Sequence, residues 1–161
     1  MSCICCLAII GKKNNPLFLK VYKSSEAEDP LKYHYIAHTA LDIVEEKINN
    51  RKTTNGQNDT MYLGLLFPTE IYKVFGYITN SDVKFLLIIA GDDYQQTDRD
   101  SEIRSLFQQL HSLYIDCISN PFYTFGEKIE SLQFAIAARS LVQGYNHQQS
   151  NNPTVRKSKR F

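Results

Sequence analysis

Met61 to Ala90, MYLGLLFPTEIYKVFGYITNSDVKFLLIIA, reads as three consecutive strands rich in β-branched, aromatic and leucine side chains. The first run, Met61 to Phe67, stops at Pro68, which has no N–H to give to a ladder. The second, Ile71 to Thr79, stops at Asn80-Ser81-Asp82, and the third runs from Val83 to Ala90. Tight turns between neighbours predict an antiparallel meander. In the third strand Phe85, Leu86, Leu87, Ile88 and Ile89 follow without a break, so both faces of the pleat are apolar. A sheet with one wet face would alternate apolar and polar residues; this one requires helices on both sides.

Upstream of that core, Ser2 to Ile10 and Leu17 to Tyr22 flank Asn14-Asn15-Pro16 and read as an opening hairpin, which brings the sheet to five strands. From Leu31 or Lys32 the spacing becomes helical. Tyr33, Ile36, Ala37, Ala40, Leu41, Val44 and Ile48 gather into one stripe at about 100° per residue. Tyr35, His38, Asp42 and Glu46 cluster about half a turn away, on the face expected to be exposed. Such a face is either a solvated surface with local pairs, Asp42 with His38 for example, or a docking patch, since exposed aromatics beside charges favour partner binding. Downstream, a second helix begins at Asp100 or Ser101, carries its stripe from Ile103 to Ile118 and ends near Ser119-Asn120-Pro121. Ile129, Leu132, Ala135, Ile136 and Val142 predict a third helix, with Gly144 as its stop.

The 161 residues suit one core, and 43% hydrophobic with 22% charged residues is ordinary for a folded domain. The division expected is a domain over residues 1–145 and a disordered basic tail over 146–161. That tail carries Arg156, Lys157, Lys159 and Arg160 without an acid; removing this +4 from the formal +1 leaves −3 on the body. A body of that charge argues against a nucleic-acid partner. The tail reads as solubilising, and any contact with acidic lipid is weak and peripheral, at about 1 kcal/mol per basic residue near the surface.

No apolar run approaches the roughly 20 residues that span a bilayer, and the start lacks a signal-peptide pattern, so a cytosolic location is expected. Cys3, Cys5, Cys6 and Cys117 then stay reduced, and the Asn58-Asp59-Thr60 glycosylation triplet is incidental. A zinc site at the amino-terminal cysteines is disfavoured because a strand sends Cys5 and Cys6 to opposite faces. S-acylation of Cys3, Cys5 or Cys6 remains the alternative to inert strand thiols. The acidic loop holding Asp92, Asp93 and Asp98 lacks calcium-loop spacing. His34, His38, His111 and His147 fall in no metal-ligand pattern, and no nucleophile elbow, phosphate loop or dinucleotide fingerprint occurs. No cofactor and no catalytic residue is predicted.

Several strings carry a resemblance. They are Asn15-Pro16-Leu17-Phe18, Tyr33-His34-Tyr35, His38 to Lys47 (HTALDIVEEK), Tyr62 to Glu70 (YLGLLFPTE), Tyr72 to Ser81 (YKVFGYITNS), Val83-Lys84-Phe85, Glu102-Ile103-Arg104, Leu110-His111 and Asn120-Pro121-Phe122-Tyr123. Over residues 3 to 142 the chain resembles the sedlin family of TRAPP vesicle-tethering subunits; the likeness fades at residues 51 to 60 and in the tail. The resemblance implies an α+β, longin-like (SNARE-like) fold, a five-stranded antiparallel sheet with one helix on one face and two on the other. It further implies a non-catalytic subunit of a tether in ER-to-Golgi and intra-Golgi transport, cytoplasmic and peripheral at ER-Golgi intermediate and Golgi membranes. The implied partners are other TRAPP subunits, both small longin-type and Bet3-type subunits and large adaptors, with a Rab GTPase engaged only through the exchange activity of the assembly. In the family the acid matching Asp42 is implicated in contacts with the large subunits, which favours the docking reading of Tyr35, His38, Asp42 and Glu46. The alternative is the regulatory longin head of a SNARE, which requires a heptad-repeat helix where this chain has a polar tail.

Overall fold

The computed structural model describes residues 3–22, 30–53, 61–91 and 97–151. Along these, β1 (Cys3–Ile10) and β2 (Pro16–Val21) precede α1 (Pro30–Thr53). Then come β3 (Tyr62–Pro68), β4 (Tyr72–Ile78) and β5 (Lys84–Ala90), followed by α2 (Thr97–Ile118) and α3 (Leu132–Asn151). The five strands form one sheet in the order β2-β1-β5-β4-β3, every pair antiparallel. The meander and the opening hairpin are both present, and β1 closes on β5, so the most apolar strand lies at the centre.

Strand alternation on β5 divides the core in two. Phe85, Leu87 and Ile89 meet α2 and α3 through Phe107, Leu110, Tyr114, Phe134 and Val142. Leu86 and Ile88 face α1 through Tyr33, Ala37, Ala40 and Val44. One helix covers one face and two cover the other, the longin-like α+β arrangement. Carbonyls on both edge strands are occupied as well. On β3 the Lys47 ammonium donates to the carbonyls of Leu63 at 3.2 Å and Leu65 at 2.8 Å, and Arg51 Nη2 donates to Tyr62 O at 3.0 Å. On β2 the Ile129 N–H donates to Leu17 O at 2.9 Å. Occupied edge carbonyls leave little for an added strand to pair with.

Three expectations need correction. The register slips between Ile4 and Cys6, and this bulge turns both Cys5 and Cys6 toward α1 instead of sending them to opposite faces. The buried side of α3 consists of Phe134, Ala138, Val142, Tyr145 and Gln149, while Leu132 and Ile136 stand in solvent at 72% and 60% exposure. Gly144 does not end the helix. A glycine inside a helix costs about 1 kcal/mol relative to alanine. Beyond it Asn146 Oδ1 accepts the Ile4 N–H at 2.8 Å, Tyr145 is buried, and Gln149 Nε2 donates to Glu102 at 2.8 Å, contacts that hold the last turns in place. Residues 146–151, read from composition as tail, therefore continue α3. The helix caps on Ser131, whose Oγ accepts the Phe134 N–H at 3.3 Å. The basic residues 156–160, the triplet at 58–60 and the side chains of Asp92, Asp93 and Asp98 lie outside the described residues.

Between sheet and α2, Tyr77 stacks on Phe107, and its hydroxyl lies 3.0 Å from His111 Nδ1. Burial lowers the His111 pKa below its ordinary value of 6.5. The unfolded chain therefore takes up this proton at higher pH than the folded one. Stability from a neutral His111 is fully present above about pH 6.5 and is lost as pH falls through the window below it. Melting temperature should drop on acidification from about pH 7 to about pH 5, and His111→Gln should flatten that dependence; scanning calorimetry of both proteins across the window measures it.

Candidate functional site

α1 lays Tyr33, Ala37, Ala40, Leu41 and Val44 on the sheet, which fixes its rotation and turns the opposite side outward. Tyr35, His38, Asp42 and Glu46 are all exposed, Tyr35 to 75%. At three- and four-residue steps they form a single row, and eleven residues of rise make it about 16 Å long. Among the described residues, no hydrogen bond or ion pair occupies the side chains of His38, Asp42 or Glu46, so the Asp42–His38 pair expected on a merely solvated face does not form. Such a row presents an aromatic, an imidazole and two carboxylates free to engage from outside.

The structure adds a residue that periodicity did not select. Leu31 is four residues before Tyr35, in the same row, and 69% exposed. At a helix start it read only as a boundary; its place in the outward row becomes apparent once the helix is known to begin at Pro30. Below it Lys32 lies over the Tyr72 ring at 4.7 Å, which clamps the first turn to β4.

The carboxyl-terminal end of the row is anchored by a chain of polar contacts. Lys84, buried at the start of β5, donates from Nζ to Asn14 Oδ1 at 2.7 Å, and Asn14 Nδ2 donates to Glu45 Oε1 at 3.0 Å. Asn14 holds this position in the β1–β2 turn with φ of 60°, a left-handed conformation that asparagine tolerates better than most residues. One amide thus joins sheet, turn and α1 next to Glu46.

The cysteines of β1 sit in a different setting. Burial, reinforced by Cys5, pushes the Cys6 thiol up to about 12, which disfavours its reactive thiolate form. Among the described residues, no three His, Cys, Asp or Glu side chains are placed to hold a metal ion, and no helix is long and apolar enough to cross a membrane.

A five-stranded antiparallel sheet clad by one helix on one side and two on the other is the architecture of longin-like proteins. The chain belongs to the sedlin family: residues 9–144 match the family model described as Sedlin. It is 44% identical over 137 residues to the trafficking protein particle complex subunit 2-like protein of Rattus norvegicus, covering 85% of this chain and 95% of that protein. It is 46% identical over 129 residues to the protein of the same name in Bos taurus, covering 80% and 89%. Against that of Dictyostelium discoideum it is 43% identical over 143 residues, covering 88% and 98%.

The polar chain at Asn14 yields a stability test. Asn14→Ala leaves the Lys84 ammonium without its amide and forces alanine into a left-handed turn, a loss of about 2 to 3 kcal/mol. Asn14→Gly removes the same bonds but relieves the backbone, and should cost about 1 kcal/mol less. Urea unfolding of the three proteins measures both differences.

Proposed function

We propose that this chain is a non-catalytic subunit of a TRAPP-type vesicle-tethering complex and that the α1 row is its docking surface for large adaptor subunits. In this reading the protein supports ER-to-Golgi and intra-Golgi transport as part of a Rab guanine-nucleotide exchange assembly. It meets the Rab only through that assembly, and small longin-type and Bet3-type subunits are its further neighbours. Its place is cytoplasmic, peripheral at ER-Golgi intermediate and Golgi membranes, with at most a weak contact of the basic tail to acidic lipid. The longin-like domain carries the docking function, and the tail beyond it is solubilising.

One observation carries the reading: Tyr35, His38, Asp42 and Glu46 stand in line on a rigid helix, with the three polar side chains unoccupied. Partner contact there displaces water from groups that have no intramolecular bonds to give up, so docking costs the fold nothing. Identity of 43–46% to proteins named as trafficking particle subunits supports the assembly.

Asp42→Tyr is the decisive variant. An exposed, unpaired acid contributes little to folding, so the melting temperature and circular dichroism should stay close to those of the parent, within about 0.5 kcal/mol. Affinity purification of the tagged chain from its own cells, followed by mass spectrometry, should recover other TRAPP subunits, and the large ones should be depleted from the variant. Unfolding of the variant would make Asp42 structural and end the docking claim. Absence of every TRAPP subunit from the parent purification would end the assembly claim.

A further inference from the structure

The connector between α2 and α3, residues 119–131, folds back over the junction of the two helices and encloses an open groove of about 580 Å³. Its apolar lining comes from three elements: Leu113 on α2, Phe122 and Tyr123 on the connector, and Phe134 and Ala137 on α3. The connector is held in shape by its own bonds. Asn120 Oδ1 accepts the Phe122 N–H at 3.1 Å, the Tyr123 hydroxyl donates to Glu127 O at 2.7 Å, and Ile129 is tied to β2. A fixed turn therefore holds Phe122 out in water, 94% exposed. Outside the groove lining, Leu132 and Ile136 form an exposed i,i+4 pair on α3. Large apolar side chains collected this way mark an interaction surface more than scattered exposure does.

The rim determines the chemistry of the occupant. Asp116, Glu127 and Glu130 line the groove, and Lys128 is the one base among its lining residues. Two copies meeting through this face would set these acids against each other, an unfavourable arrangement once desolvated. A partner strand is a poor fit as well, because no sheet edge opens here and the Ile129 N–H is already spent on β2. We propose that the groove is a second protein-docking surface, and that its occupant is an amphipathic helix of a partner protein whose apolar anchors are flanked by Lys and Arg. Phe122 supplies the anchoring contact, with Leu113 and Ala137 in the groove wall; Glu127 and Glu130 supply orientation and selectivity. The groove lies on the α2–α3 layer, across the sheet from the α1 row, and its occupancy does not depend on that row.

The probe is a fluorescein-labelled synthetic helix of leucines and lysines in amphipathic spacing, compared with the same helix carrying glutamates, each titrated into the full chain by fluorescence anisotropy. The Leu/Lys helix should bind at one saturable site, more weakly at about 500 mM than at about 50 mM salt. Phe122→Ser should weaken it on the order of tenfold. The double change Glu127→Lys with Glu130→Lys should weaken it similarly and turn the preference toward the Leu/Glu helix. Asp42→Tyr should leave this binding unchanged, so failure here and failure of the α1 reading are separable. Equal binding by the parent and both groove variants would overturn the proposal. So would a concentration-dependent dimer in sedimentation velocity that Phe122→Ser abolishes, which would make a second copy the occupant.

Discussion

The rest of the structure follows from β5 being apolar on both faces. Phe85, Leu87 and Ile89 on one side and Leu86 and Ile88 on the other are buried together, which no sheet with a solvated face permits. A central strand of this kind requires two layers of helix, and burying five such side chains is worth about 2 kcal/mol each before entropy is counted. The sheet order meets the requirement: β1 returns to pair with β5, so β5 is flanked on both sides and the less apolar β2 and β3 take the edges. Those edges carry bulges and occupied carbonyls, and Lys47, desolvated over β3 with Arg51 beside it, has its pKa drawn below the ordinary lysine value.

Layering also sets where binding can occur. With the sheet interior consumed by packing, the surfaces available to partners are the outward sides of the helices and the loops that join them. α1 contributes a row of polar and aromatic groups held by the buried stripe beneath it, and Asn14 ties the far end of that row, at Glu45, to Lys84. Rigidity matters to the docking proposal, because a row on a packed helix loses little entropy when a partner arrives.

How far these features could be read from residues depended on the signal each one rests on. The α1 row was readable because its buried stripe keeps the 3.6 period from Tyr33 to Val44, and an exposed side follows by subtraction. The meander was readable because Pro68 and Asn80-Ser81-Asp82 interrupt three apolar runs. Cys5 and Cys6 were misplaced because a bulge depends on cross-strand register, to which a single strand's alternation is blind. α3 was misread for a different reason. Its buried side includes the small Ala138 and the polar Gln149, while the larger Leu132 and Ile136 face water, so the strongest apolar pattern belonged to the outside. Hydrophobic periodicity locates the core only when apolar residues have no other use.

The outward apolar residues of α3 bear on function. Leu132 and Ile136, exposed on α3, and Phe122, held in solvent by its own turn, have no part in the core of this chain. The same reasoning separates Tyr35 from Tyr33 on α1: one ring fills the α1 layer of the core, and the other contributes nothing to it. Two outward surfaces thus lie on opposite sides of one sheet, separated by the sheet and by helices of about 10 Å diameter each. On the docking proposals above, two partners at that separation are seated without contact between them, and the sheet between them sets their relative orientation. On the two docking proposals, the domain acts in an assembly by geometry, as a spacer with two different ends.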